Sequence, residues 1–332
     1  MNRSLPERLD VARPVAITGA NGFVGRRTVG TFLALGTRVR AICRTEAGVD
    51  MVPSGADSRV VGDIDTHTDW SGVLENVNTV VHLAARVHVM NDHASDPLAL
   101  YREVNVNGTV QLARAAAEVG VRRFVFVSSI KANGEATAET PFSESSVPAP
   151  VDPYGISKLE AEQALHAIAA ETGLEVVVLR PPLIYGPGVG ANFRRLLNAV
   201  SRGVPLPFGA IENRRSLLFV GNMVNALVQC VEHPSAAGET FLVSDGPSVS
   251  SAELVTEISY ALGRRPRLLR ISPALLDAVG RVTGRRAAVQ RLVGSLEVDS
   301  SRIRKVLDWT PPYSMREGLL ETADWWRTVE RS

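Results

Sequence analysis

The chain of 332 residues is 45% hydrophobic and 21% charged, and 36 Lys+Arg against 35 Asp+Glu leave a net charge of +1. That composition supplies a sizeable apolar core and excludes global disorder, while the charge balance excludes a global drive toward nucleic acid. No run of about 18 apolar residues is present, so no transmembrane segment is expected. The opening MNRSLPERLDVARP lacks the apolar stretch of a secretory signal. Two isolated thiols, Cys43 and Cys230, make neither a disulfide framework nor a structural zinc site and fit a reducing cytoplasm.

Residues 1–13 read as an irregular leader. Short apolar runs then alternate with helical patterns. Val15–Thr18 is a strand that runs into glycines; a stripe of Val29, Phe32 and Leu33 marks a helix closed by Gly36. Val39–Cys43 predicts a second strand, Arg59–Gly62 a third and Thr79–Leu83 a fourth. One long helix follows, with Asp96 as N-cap, Pro97 at its first position and Gly120 as its stop. Phe124–Val127 predicts a fifth strand and Val176–Leu179 a sixth. Between them lies a helix starting at Asp152-Pro153 and ending at Gly173. Strands apolar on both faces and separated by helices predict a doubly wound α/β parallel sheet, a Rossmann fold, with right-handed crossovers. Beyond residue 180 prolines mark loops. Helices are expected near 191–202, 222–233 and 251–262, the last with a Ser250…Glu253 capping box, two short strands at 217–220 and 240–243, and a final helix near 315–329. The expected organisation is a dinucleotide-binding domain over 14–180 and a smaller, mainly substrate-binding lobe over 181–330. Ligands of open α/β sheets bind at the carboxyl ends of the strands.

The first strand leads into Thr18-Gly19-Ala20-Asn21-Gly22-Phe23-Val24-Gly25 and then a helix. Gly19 permits a tight turn, Gly22 admits a pyrophosphate, and Gly25 lets helix and strand pack closely; the helix N-terminus offers free N–H groups to an anion. The end of the second strand reports on the cofactor. A carboxylate there binds the free 2′-hydroxyl of NAD, and an arginine accommodates the 2′-phosphate of NADP. Here the strand ends Ile42-Cys43-Arg44, with Arg26 and Arg27 after the glycine turn and Glu46 two residues further on. NADP(H) is favoured and NAD(H) is the alternative.

Tyr154 and Lys158 lie four residues apart on one helical face. A neighbouring ammonium and a positive nicotinamide favour the ionised phenol, and a hydroxyl beside it would hold a substrate oxygen. Ser128-Ser129, at the carboxyl end of the fifth strand, is placed to supply one.

With these motifs the chain resembles the extended short-chain dehydrogenases/reductases of the NAD-dependent epimerase/dehydratase family. The resemblance covers about residues 14–328. It rests on Gly19–Gly25, Gly62-Asp63, His82-Leu83-Ala84-Ala85, Asn105-Val106-Asn107-Gly108-Thr109, Val127-Ser128-Ser129, Tyr154…Lys158 and Leu179-Arg180-Pro181-Pro182. It implies Tyr154 as the acid–base residue, Lys158 on the nicotinamide ribose, and Ser129 orienting the reacting oxygen. Gly19, Gly22, Phe23, Val24, Gly25, Arg44, Asp63, Ile64, Leu83, Ala84, Ala85, Asn105 and Pro182 would complete the dinucleotide site, with Asp63 on the adenine amine. Asn192, Phe193 and Arg215 match positions holding the nucleotide diphosphate.

Three departures matter. Ile130-Lys131-Ala132-Asn133-Gly134 stands where relatives often have Ala-x-x-x-Tyr-Gly, so Lys131 is a candidate contact for sugar or phosphate. Leu183 replaces an asparagine of sugar epimerases, and Ser216 the aspartate of an Arg-Asp-Phe segment. The resemblance implies hydride transfer at C4 of a UDP-hexose. The pattern is similar to bacterial O-antigen enzymes that reduce UDP-4-keto-6-deoxy-HexNAc; a UDP-glucose or UDP-GlcNAc 4-epimerase with retained NAD is the alternative. A dehydratase is disfavoured, because Ser129-Ile130-Lys131 lacks the acid pair such enzymes carry. A steroid or flavonoid carbonyl reductase is more distant. A non-enzymatic dinucleotide-sensing regulator is disfavoured by the retained tyrosine and lysine. The expected partner is a nucleotide sugar, with a homodimer compatible.

His82 reads as structural, and His67, His88, His93, His166 and His233 show no metal spacing. Trp325 and Trp326 read as packing the last helix. Residues 264–291 hold eight arginines against one acid, Asp277. A solvated face is the default reading there, with anionic lipid or an acidic partner as the alternative.

Overall fold

The computed structural model describes residues 13–87, 96–282, 284, 289–290 and 293–331; residues 1–12 of the leader, His88, His93, Arg285, Arg286 and Arg291 lie outside them. The chain divides into two compact units. One comprises residues up to Ala132, Val151–Arg180 and Ala226–Phe241; the other comprises Asn133–Pro150, Pro181–Asn225 and Leu242 onward.

The strands are β1 (Val15–Thr18), β2 (Val39–Cys43), β3 (Asp57–Val60), β4 (Thr79–His82), β5 (Arg123–Val127), β6 (Glu175–Arg180) and β9 (Thr240–Leu242), in the order β3-β2-β1-β4-β5-β6-β9. β1 through β6 pair in parallel, so the parallel α/β Rossmann expectation holds. β1, β4, β5 and β6 are almost wholly buried, as strands covered on both faces must be. The third strand starts two residues earlier than its apolar pattern suggests. As an edge strand it is mostly exposed, and apolarity does not define it. One core cluster includes Val80, Phe124, Phe126, Val176 and Val178 of the sheet and Leu112, Ala161, Leu165 and Ile168 of the covering helices.

In this unit α1 spans Phe23–Ala34, a short α2 Glu46–Val49, α3 Pro97–Arg102, α4 Gly108–Glu118 and α5 Pro153–Thr172. The single helix expected from Pro97 to Gly120 is interrupted by a π-helical stretch, Glu103–Asn107. Its start is as read: the Asp96 side chain accepts from the Ala99 N–H at 3.0 Å. α5 carries all its sequence signals, with Asp152 capping the Gly155 N–H at 2.7 Å, Pro153 at the first turn, and Gly173 left-handed at φ 76°.

The second unit holds a two-stranded parallel sheet of β7 (Leu183–Tyr185) and β8 (Leu217–Phe219). Its helices are α6 (Ala191–Ser201), α8 (Ser251–Ala261), α9 (Pro273–Val282), Ser301–Val306 and Met315–Arg331; α7 (Val220–Glu232) begins in this unit and ends in the other. The Ser250–Glu253 capping box forms as expected. β7, α9 and the helix at 301–306 carry no strong sequence signal and are additions. Asp245 organises this unit: it accepts from the Phe219 N–H, Asn222 Nδ2 and Tyr185 Oη at 2.8, 2.7 and 3.0 Å. Trp326 is buried, and Trp325 meets it edge-on with centroids 6.0 Å apart, as packing predicts. Among the described residues no helix is long and apolar enough to cross a membrane.

Candidate active site

The turn between β1 and α1 is shaped by what its glycines leave out. Gly19 is left-handed at φ +63°, and a Cβ there would stand 2.9 Å from the Ala84 nitrogen. A Cβ at Gly25 would lie 2.1 Å from the Gly19 carbonyl oxygen, backbone that cannot move aside. α1 has no side-chain cap at Gly22. A bare helix N-terminus behind a glycine cradle fits a dinucleotide pyrophosphate. Phe23 and Val24 begin that helix. Leu83, Ala84 and Ala85, just beyond β4, are half-buried.

Arg44 extends from the end of β2 into solvent, and its nearest acid is Asp63, 3.5 Å away and equally exposed. Glu46 is used elsewhere, in the first turn of α2, whose cap is Thr45. The strand end therefore presents a guanidinium where an NAD site usually has a carboxylate.

His82 is locked in a chain of hydroxyls. The Thr109 hydroxyl donates to the Asn105 carbonyl at 2.8 Å, so its oxygen accepts from His82 Nε2 at 3.0 Å, and His82 Nδ1 accepts from the Thr18 hydroxyl at 2.7 Å. The Thr18 oxygen in turn receives the Leu83 and Ala84 N–H groups, both at 3.2 Å. Burial, helped by the Lys158 charge, pushes the imidazole pKa down to about 3. His82 is thus a neutral strut rather than a base, as its strand-end position suggests. No group of three or more His, Cys, Asp or Glu among the described residues could hold a metal.

The π-helical stretch carries Asn105. Its amide brackets the Arg86 backbone, with N–H to Oδ1 at 2.8 Å and Nδ2 to the carbonyl at 3.0 Å, and also donates to Ser157 Oγ at 3.0 Å. Ser157 donates to the Tyr154 carbonyl at 2.8 Å. Gly108 permits this course, since a Cβ there would press on Ile64. Asn105 therefore ties the π-helical stretch to the Arg86 backbone and to α5, and Ile64 packs close against Gly108.

Ser129 and Tyr154 are brought together. The Ser129 hydroxyl bonds to the phenol oxygen and lowers its pKa, but burial outweighs that contribution, Asp152 and Tyr101 add to it, and the phenol is pushed up to about 12. The Tyr101 ring meets Tyr154 edge-on at 6.2 Å. Lys158 stands over the phenol ring and hydrogen-bonds to the strand end. Its Nζ donates to the Val127 carbonyl at 2.8 Å, lies 4.5 Å from the Phe126 centroid and stands 5.9 Å from the Tyr154 centroid. Burial lowers its pKa to about 7 against the raising field of Glu162. The ammonium that the helical spacing aligns with Tyr154 thus bonds to the strand end, and it is burial that raises the phenol's pKa.

Glu162, one turn beyond Lys158, was not singled out from the sequence. It is 2% exposed, holds Arg180 of β6 through Nε at 3.0 and 3.1 Å and through Nη2, and accepts from the Ser128 hydroxyl. Its place two turns after Tyr154 on the same face was the available signal. This clamp ties α5 to the ends of β5 and β6. Lys131 pairs with Asp152, the α5 cap, rather than standing alone in the loop.

In the second unit, Phe193 is buried and stacks on Tyr185 with centroids 5.4 Å apart, while Asn192 is exposed. Ala191, beside them at the start of α6, is left-handed at φ 48°, a strain of about 1 kcal/mol or more for a residue with a Cβ. Arg215 is half-buried and donates from Nη1 to the Gly294 carbonyl at 2.9 Å; burial lowers its pKa. Pro182 is buried just before β7.

Residues 15–244 match the model of the NAD dependent epimerase/dehydratase family. The chain belongs to this family. It is 44% identical to a UDP-glucose 4-epimerase of Vibrio cholerae over 315 residues, 94% of each chain. It is similar to the structure of MoeE5 in complex with UDP-glucuronic acid and NAD, at 29% identity and a TM-score of 0.77, over 95% of this chain and 99% of that one. It is also similar to the UDP-glucose 4-epimerase of Thermotoga maritima with UDP-glucose, at 25% identity and a TM-score of 0.76, over 96% and 99%. Two of these relatives are named as UDP-glucose 4-epimerases, and the MoeE5 structure holds a nucleotide sugar and NAD.

Proposed function

We propose that this enzyme transfers hydride at C4 of a UDP-hexose, as a UDP-4-keto-6-deoxy-HexNAc 4-reductase of surface polysaccharide synthesis in the cytoplasm, using exchangeable NADP(H). The end of β2 carries this reading: Arg44 stands free of the strand where a ribose-binding carboxylate would favour NAD. The glycine turn, Asp63, Ile64, residues 83–85, Asn105, Lys158 and Pro182 would hold the dinucleotide, which when bound supplies the hydride. Tyr154 gives the proton to the C4 oxygen from its hydroxyl, and its raised pKa keeps that proton in place at neutral pH. Ser129, already bonded to the phenol oxygen, holds the same substrate oxygen. Lys131, Asn192, Phe193 and Arg215 contact the sugar nucleotide, with residues 181–330 as the main substrate lobe and 14–180 as the dinucleotide domain.

The second reading is a UDP-glucose or UDP-GlcNAc 4-epimerase with retained NAD, favoured by the Vibrio cholerae relative. Both use Tyr154 and Ser129 alike. They differ in whether cofactor is consumed. Product NMR decides between them, with UDP-Glc, UDP-GlcNAc and a UDP-4-keto-6-deoxy-HexNAc as substrates and cofactor supplied or withheld. Reduction of the keto sugar with one NADPH used per turnover supports the first reading. Interconversion of UDP-Glc or UDP-GlcNAc without net NADPH use establishes the second.

A further inference from the structure

We propose that α9 and the arginines leading into it form a docking surface for an anionic lipid bilayer. Leu275, Val279 and Val282 recur at spacings of four and three along α9, hence on one side of the helix. That side faces solvent: the three residues are 56%, 52% and 89% exposed. The opposite side turns inward, with Gly280 buried and Leu276 and Asp277 half-buried. A surface helix ordinarily shows the reverse pattern.

The segment leading into this stripe carries charge of one sign. Arg264, Arg265, Arg267, Arg270 and Arg281 are all exposed. Asp277 is the one acid between residues 264 and 282, and it pairs with Arg281 at 2.7 Å. Arg267 also donates to the Gly203 carbonyl at 3.2 Å. An aliphatic stripe on a helix that is preceded by a run of exposed guanidinium groups, with Arg281 on the helix itself, is the composition of a headgroup-region helix: the stripe enters the acyl boundary and the arginines take lipid phosphates. A second copy of this chain fits less well, because a twofold contact would set arginines against arginines. A protein partner fits less well too, since α9 offers no aromatic anchor.

The test is flotation of the full-length protein with vesicles of phosphatidylcholine alone or with 40% phosphatidylglycerol, at 0.1 M NaCl. At least tenfold greater partition onto the anionic vesicles is expected. Leu275→Asp with Val279→Asp, and separately Arg264→Gln with Arg265→Gln and Arg270→Gln, should each cut it at least fivefold without moving the thermal midpoint. The triple glutamine variant alters only exposed side chains and decides the matter if the aspartate pair does not fold. No preference for anionic vesicles overturns the proposal, as does partition that the glutamine variant leaves unchanged. A solution dimer that the aspartate pair converts to monomer overturns it too, by assigning the stripe to a second copy.

Discussion

At the scale of single residues, Tyr154 works against its surroundings. Burial holds its proton, Ser129 loosens it, and Lys158, turned toward the Val127 carbonyl, adds no hydrogen bond to the phenol. Tyr154→Phe keeps the ring packed on Tyr101 and removes only the oxygen that the proposal assigns to proton transfer. Turnover should fall by about 10²–10⁴-fold, while dinucleotide affinity measured by fluorescence titration stays within twofold; a variant with half the wild-type rate would unseat the assignment. His82 makes a different prediction. Its folded pKa is lowered to about 3, below the unfolded value of about 6.5, so between those limits the unfolded chain binds the extra proton. The stability owed to the neutral ring is therefore present above pH 6.5 and is lost as pH falls toward 3, at up to about 1.4 kcal/mol per pH unit. Urea unfolding at pH 4, 5 and 6 should show that slope shrinking in His82→Asn, and parallel slopes would refute it. The structural character of His82 was readable from its strand-end motif. The orientation of Lys158 was not, because helical spacing fixes a face and leaves four rotatable bonds undecided. Glu162 escaped notice for a related reason: a lone acid in a helix reads as surface until β6 brings Arg180 against it.

At the scale of elements, the glycine turn sets the sharpest test. Gly25→Ala would place a methyl 2.1 Å from the Gly19 oxygen and 2.8 Å from the Ala20 oxygen. Both are backbone, so α1 must shift away from β1, at a cost of about 1–3 kcal/mol. A lower thermal midpoint and at least tenfold weaker dinucleotide binding are expected. Gly36→Ala is the control: it is left-handed at φ 79° with no atom within 4 Å of a new Cβ, and it should cost about 1–2 kcal/mol of stability without touching the cofactor. Equal binding losses in both would mean the cradle does not hold the pyrophosphate. Elements bounded by caps and punctuating residues, such as α5 between Asp152 and Gly173, were legible because local chemistry specifies them. The π-helical stretch at Glu103–Asn107 was not, since its extra residue answers to the Asn105 bonds with the Arg86 backbone and Ser157, which are remote in sequence. β3 was misplaced by two residues because edge pairing rather than burial determines where it starts.

For the molecule as a whole, cofactor choice and reaction type are linked. An enzyme that consumes its nucleotide must exchange it every turnover, whereas an epimerase returns what it borrows. Arg44→Asp should reverse or erase the proposed preference for NADPH over NADH, since hydrogen bonds to charged groups are worth roughly 1.5–3 kcal/mol, and should leave the KM for nucleotide sugar within twofold. Wild-type protein that binds NADH as tightly as NADPH would remove the argument for reduction. Chain-wide organisation was legible in the alternation of strands and helices. The return of residues 226–241 to the first unit, and the departure of 133–150 from it, follow from contacts that no local pattern records. That departing segment has a neck. Lys131 and Asp152 stand at its two ends and pair with each other, and just inside them the Ala149 N–H donates to the Asn133 carbonyl at 2.9 Å, so an 18-residue excursion is closed by an ion pair and a backbone hydrogen bond, with Asp152 also capping α5. Such a segment behaves as a cassette. Closing it costs little more when it is lengthened, because loop entropy grows only slowly with length. Thr137, Phe142 and Glu144 bond to Ser295, Glu297, Asp299 and Leu242, so the exposed stretch 138–141 is where the segment can lengthen without disturbing those ties.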